Sequence, residues 1–152
     1  MKELEDILKT KSKIPLVRKT VLNIMHSNVW IKDNITSVLK PFDISVEQFN
    51  VLRILRGQKG NPTNLQDIQD RMISKMSNTT RLVDKLILKG YVERFTCEKN
   101  RRKVDIFITK SGLDILNTID PIIDSTEQLI TSHLTNDELE TLNHILTKLR
   151  DY

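Results

Sequence analysis

Cysteine is nearly missing from this chain: Cys97 is the single one in 152 residues. One thiol makes neither an intrachain disulfide framework nor a CxxC metal or redox site, so the default reading of Cys97 is a buried thiol. Glycine is sparse as well, with four residues and no Gly-rich phosphate loop among them. A nucleophile motif and a carboxylate pair in a recognisable setting are also lacking, which argues against an enzyme. No stretch reaches the roughly eighteen consecutive apolar residues of a membrane span. The N-terminal MKELEDILKTKSK alternates charge where a signal peptide would be apolar. The expectation is a cytoplasmic protein of one domain with no membrane partner.

Charge of both signs is present, but unevenly placed. Residues 53–110 hold 14 Lys/Arg against 6 Asp/Glu, whereas residues 111–152 hold 2 against 8. Clustered base on one part of a chain suits a face that meets a polyanion, because Lys and Arg gain affinity there by releasing condensed counterions.

Apolar periodicity divides the chain into helices. Val17, Val21, Ile24, Ile31, Ile35 and Val38 recur at spacings of three, four or seven, predicting a long amphipathic helix from Pro15 to near Pro41. Residues 1–13 are polar enough to fray or to form part of an oligomer contact. In ISVEQFNVLRILRG, Ser45 and Gln48 have capping-box spacing, and Phe49, Leu52 and Leu55 form a buried stripe before Gly57 as the stop. Thr63 and Gln66 repeat the box for a short helix with Leu65, Ile68 and Met72 inward. Ser74 or Ser77 then caps a helix running through Lys89, with Val83, Leu86 and Ile87 inward and Gly90 as its stop.

YVERF and VDIFI alternate and are rich in β-branched and aromatic residues, predicting an antiparallel hairpin over 91–95 and 104–108 with EKNRRK in its turn. Thr109 opens a further helix that can kink at Pro121. Thr135 and Glu138 box a last one with Leu139, Leu142, Leu146 and Leu149 on one side. The fold class is thus mainly α with a small β-hairpin wing: a winged helix-turn-helix flanked by N- and C-terminal helices. Those flanking helices are more apolar than the module needs, and such a surplus usually finds a partner.

In SKMSNTTRLVDKLILKG, turning Val83, Leu86 and Ile87 inward leaves Lys75, Asn78, Arg81 and Lys85 largely on the other side, with Ser77, Asn78 and Thr79 in the first turns. Short hydrogen-bonding side chains followed by bases suit a helix whose N-terminal end enters a major groove. The competing reading is a solvated face with two caps. In the hairpin turn, Arg101 and Arg102 are the candidates for a neighbouring minor groove, with Lys99 and Lys103 at the phosphates and Asn100 beside them; the competing reading is a charged turn that keeps the hairpin soluble.

The stretches ISVEQFNVLRIL, TTRLVDKLILKGYVER and NRRKVDIFITKSG, in this order, resemble the MarR family of transcriptional regulators, over about residues 15–150. The resemblance implies a repressor acting as a homodimer through residues 15–40 and 111–152. Residues 45–110 would form a lobe that places a recognition helix, about 77–89, and a wing on a pseudo-palindromic operator in double-stranded DNA. It also implies a cleft between dimer helices and lobe for a small aromatic effector, with Met25, Trp30, Phe42 and Phe49 as candidate lining. Relatives commonly carry Asp where Asn100 stands, which puts the wing's internal ion pairing in question. Family members that sense oxidants usually hold the reactive cysteine in the N-terminal helical region, so Cys97 reads as structural.

His26, His133 and His144 are spaced neither i, i+3 nor i, i+4, so no metal site is expected, and no cofactor either. The rival of a different class is a winged helix used for protein contact; a redox- or metal-responsive regulator is a variant of the first reading.

Overall fold

The computed structural model describes residues 3–97 and 100–151, with side chains at all of these except 97 and 100–103. Its elements run α1 (Leu4–Ile7), α2 (Leu16–Leu39), a 3₁₀ turn (Lys40–Phe42), α3 (Val46–Gly57), α4 (Leu65–Arg71), α5 (Thr79–Leu88), β1 (Val92–Cys97), β2 (Asn100–Ile108), α6 (Lys110–Thr131) and α7 (Asn136–Leu149). The mainly helical architecture with one antiparallel hairpin is the one expected.

Local signals set most of the boundaries. The Ser45 hydroxyl accepts from the Gln48 N–H at 3.1 Å while the Gln48 side chain accepts from the Ser45 N–H at 3.0 Å, closing the box that starts α3. Thr135 and Glu138 do the same for α7. Thr109 caps α6 by accepting from Gly112 at 3.1 Å, and the helix runs on through Pro121. Gly90, at φ +73, ends α5: its N–H donates to Ile87 and that of Tyr91 to Leu86, the paired bonds of a left-handed helix stop.

Four expectations need correction. Gly57 belongs to α3, and the reversal after it is made by Lys59 and Gly60 at φ +53 and +84. Asn64, not Thr63, caps α4, its side chain accepting from the Asp67 N–H at 2.9 Å. Thr63 is instead drawn into an antiparallel bridge with Ile106, donating at 3.3 Å and accepting at 2.8 Å, so the hairpin gains a short third rung no local spacing announces. The strands also outrun their predicted ends, which leaves Asn100, Arg101, Arg102 and Lys103 on β2 and not at a turn. Their pairing shifts register between Thr96 and Cys97. Finally, the N-terminal segment is docked: Leu4 is buried and Lys19 on α2 binds Glu3 and Glu5, each at 2.9 Å.

The core gathers one stripe from each element between α2 and α6. Leu39, Leu52, Leu55, Ile68, Val83, Leu86, Ile106, Leu116 and Ile119 are all within 2% of complete burial. Arg56 on α3 pairs with Asp120 on α6, lashing the central helices to the long C-terminal one. By contrast α7 buries nothing, and its Leu142, Ile145 and Leu149 stand about half exposed.

Gly112 marks the tightest joint. A Cβ there would overlap the carbonyl oxygen of Tyr91 and sit 2.7 Å from Cγ1 of Ile108. Gly112→Ala should therefore destabilise the protein by about 2 kcal/mol, as overpacking against backbone does. Gly57→Ala, where nothing lies within 4 Å, should be neutral or slightly stabilising. Urea midpoints compare the two; equal midpoints would show that the α6 joint is loose.

Candidate nucleic-acid interface

Helix α5 begins at Thr79, later than a cap at Ser74 or Ser77 would start it. Asn78 is the cap, its side chain accepting from the Arg81 N–H at 3.0 Å. That start is selected by burial: Thr79 continues the i, i+4, i+7 stripe of Val83 and Leu86, lies 5% exposed, and donates its hydroxyl to Gln69. Thr79 is therefore turned away from the outer face, against expectation, and the neighbouring Thr80 is exposed in its stead. The spacing of Thr79 to Val83 carried this signal.

Lys75 is likewise displaced from the helix face. It sits in the turn between α4 and α5, where its ammonium donates to the Asp70 carbonyl while its own carbonyl accepts from Gln69. The other candidates come together: Ser77, Asn78, Arg81 and Lys85 line one hollow of about 400 Å³ ahead of α5, with Glu47 also in its wall. Burial alone would raise the Glu47 carboxyl, but hydrogen bonds from Lys32, the backbone and Ser45 outweigh it and hold the group below its usual range. Glu47 thus stays ionised and paired at 3.0 Å with Lys32. The N–H groups of the first turn add partial positive charge to the same end.

The hairpin is set against this helix by an ion pair, Arg94 of β1 with Asp84 of α5 at 3.0 Å. Asn100, Arg101, Arg102 and Lys103 lie on the β2 backbone. Their side chains fall outside the described residues, as does the side chain of Cys97; Lys99 and Glu98 fall outside altogether. Fold and chain order place the basic run at the far end of the hairpin from α6.

A second concavity, about 430 Å³, opens between α2, α3 and α6. Of the four aromatic and apolar candidates, Phe49 lines it and Met25, Trp30 and Phe42 do not. Helical phase explains the miss at Trp30, whereas Met25 lies one turn before the first α2 residue of the cleft. The cleft takes Asn28, Ile31 and Ile35, and a shift of one residue swings Trp30 about 100° off that stripe. Phe42 packs on the core from the 3₁₀ turn. Arg53, its guanidinium 5.6 Å from the Phe49 ring centre, and Lys32 place positive charge at the cleft wall. His26, His133 and His144 are exposed, and no group of three metal-ligating side chains exists among the described residues.

Three helices, a lashed hairpin and a polar, basic outer face on the third helix define a winged helix-turn-helix module. The MarR family model matches residues 44–104. The multiple antibiotic resistance protein MarR of Escherichia coli K12 is 31% identical over 113 residues, 73% of this chain and 76% of that protein. The transcriptional repressor MprA of the same organism is 26% identical, over 82% of this chain and 71% of that one. A crystal structure of a mutant MarR from E. coli complexed with operator DNA aligns with a TM-score of 0.76 at 27% identity, covering 98% of this chain and 99% of that chain. A MarR-like transcription regulator from Bacillus cereus aligns at 0.78 and 21% identity, a likeness of fold. The chain belongs to the MarR family, which comprises transcription regulators and not enzymes. No helix among the described residues is long and apolar enough to cross a membrane.

If Asn78 sets the start of α5, Asn78→Ala should cost about 1 kcal/mol of stability while Asn78→Ser costs a few tenths. Equal unfolding midpoints for the two variants would return the cap to Ser74 or Ser77.

Proposed function

We propose that the protein is a sequence-specific DNA-binding regulator, acting as a repressor by occupying a pseudo-palindromic operator. The observation that carries this reading is the outer face of α5, where Asn78, Thr80, Arg81 and Lys85 stay exposed because Thr79, Val83 and Leu86 are buried. Arg81 reads a guanine edge, Asn78 and Thr80 approach base edges or phosphates near the helix start, and Lys85 neutralises a phosphate. Arg101 and Arg102 extend the contact into the adjacent minor groove, with Lys99, Asn100 and Lys103 at its phosphates. The operator complex of the E. coli relative supports the same reading.

The regulator works as a homodimer built from α2, α6 and α7. Support comes from apolar side chains left in water: Leu16 and Val17 are about 80% exposed, and Ile145 and Leu149 more than half. Exposed apolar area on this scale is uncommon on a monomer. Two-fold symmetry then puts the two α5 helices about one turn of DNA apart, roughly 10 bp. A small aromatic effector enters the cleft beside Phe49 and releases DNA by preferring another dimer spacing.

Selection from a random duplex pool should yield a palindromic consensus with half-sites roughly 10 bp apart. Arg81→Ala should relax one position of it, losing about 1–3 kcal/mol of discrimination. Replacing Arg101 and Arg102 together by Ala should lower affinity for every duplex. No selected consensus and no effect of either change would favour protein contact as the role of the module. Separately, Ile145→Glu with Leu149→Glu should give a monomer by sedimentation; a dimer unchanged at micromolar protein would remove α7 from the interface.

A further inference from the structure

Between the C-terminal end of α5 and the elbow joining α2 to α3 lies a hollow of about 570 Å³ that none of the roles above uses. Thr36, Lys40, Asp43, Ser45, Lys85 and Lys89 supply its polar wall, and Ile44 and Leu88 its apolar part. Three ammonium groups therefore share one carboxylate. Lys89 donates both to the carboxylate and to the carbonyl of Asp43, while neither Lys40 nor Lys85 has an ion-pair partner among the described residues. The arrangement is unequal in access too: the Lys89 side chain is three-quarters buried in the wall, whereas that of Asp43 is 95% exposed at the lip. Asp43 also holds a left-handed backbone, φ +53, which costs energy for a residue other than glycine. An exposed carboxylate on a strained turn is a partner that another anion can displace.

The wall offers more than charge. The Ser45 hydroxyl is committed, accepting from the Gln48 N–H and bonding the Glu47 carboxylate, so Thr36 is the hydroxyl left in the wall. Leu88, 87% exposed beside the lysines, gives an apolar surface for the body of a ligand whose anionic end meets them. Two charges in excess, the Thr36 hydroxyl and an apolar flank match a dianion carried on a small organic molecule.

We propose that this hollow binds a small phosphorylated anion on Lys40, Lys85 and Lys89, and that occupancy diverts Lys85 from DNA and weakens operator binding. The anion replaces the Asp43 carboxylate at Lys89 and bridges the end of α5 to the end of α2. The coupling half of this proposal rests on the DNA-binding role; the binding half does not.

Pyrophosphate is the probe, added to the full chain at constant ionic strength with sodium chloride as the balance. Wild-type protein should show a saturable rise in Tm that chloride lacks, and amide shifts confined to 40–45 and 85–89 in its NMR spectrum. Lys40→Gln should raise the half-saturating concentration about fivefold, the loss of one charge-assisted contact discounted for exposure. No response beyond that to chloride, or coincident curves for wild type and K40Q, overturns the site. Because amide shifts are read on the wild-type protein, a K40Q that fails to fold leaves that test standing. A K40Q that binds every duplex more weakly, with a wild type blind to pyrophosphate, overturns it in favour of a DNA backbone phosphate as occupant. Displacement of labelled duplex by pyrophosphate reads the coupling. Saturable binding without displacement refutes the coupling alone, whereas failure of the DNA role appears earlier, as a random pool that yields no consensus.

Discussion

Burial of the inner stripe of α5 is the constraint on which the rest of the surface depends. Thr79, Val83 and Leu86 are pressed against α3, α4 and the hairpin, and Val83 and Leu86 are wholly excluded from solvent. Rotating the helix by one residue, about 100°, would carry all three outward and turn Lys85 inward in one sense or Asp84 in the other, each a charge taken out of water. The apolar cost of exposure, about 1.5–3 kcal/mol for each large side chain, and the larger cost of a buried lone charge act in the same sense. What the outer face offers a ligand is therefore decided on the inner one.

Features that depend on neighbours in sequence were legible, and those that depend on distant backbone were not. Ser45 with Gln48 and Thr135 with Glu138 form their boxes because each satisfies its partner three residues away, with nothing else competing. Thr63 and Gln66 have the same spacing, yet Thr63 spends its backbone on Ile106, more than forty residues on, and Asn64 takes the cap. Before α5, Ser74, Ser77 and Asn78 are chemically interchangeable as caps, and only the burial of Thr79 selects among them. That Asn78, Arg81 and Lys85 would share the exposed side of α5 was legible because helical phase is local. The cleft lining was not, since its walls come from three elements whose mutual rotation no periodicity reports.

Charge and apolar surface are sorted along the chain in a way that suits two kinds of contact. The basic middle of the sequence becomes the lobe of α3 to β2, and the acidic end becomes α6 and α7. Lobe and α6 share a core, in which Leu116, Ile119 and Ile123 meet the inner side chains of the lobe, and Arg56 to Asp120 and the hairpin root at Gly112 fasten it at its edge. Separate chemistry on the two sides lets one side meet a polyanion while the other stays unattractive to it.

The joint at Gly112 has a mechanical consequence. The start of α6 is pinned by the Tyr91 carbonyl, which accepts from the Thr109 N–H at 3.0 Å, and by the Thr109 hydroxyl, which donates to the Gly90 carbonyl at 2.7 Å. From that pin the helix extends 22 residues, so it is a stiff rod roughly 33 Å long that starts at the root of the wing. Because the same rod beds Leu116, Ile119 and Ile123 in the core and is tied at Asp120 to Arg56, it has no free hinge: the hairpin root, the lobe and the first half of α6 form one body, and the last two turns project from it as a lever carrying α7.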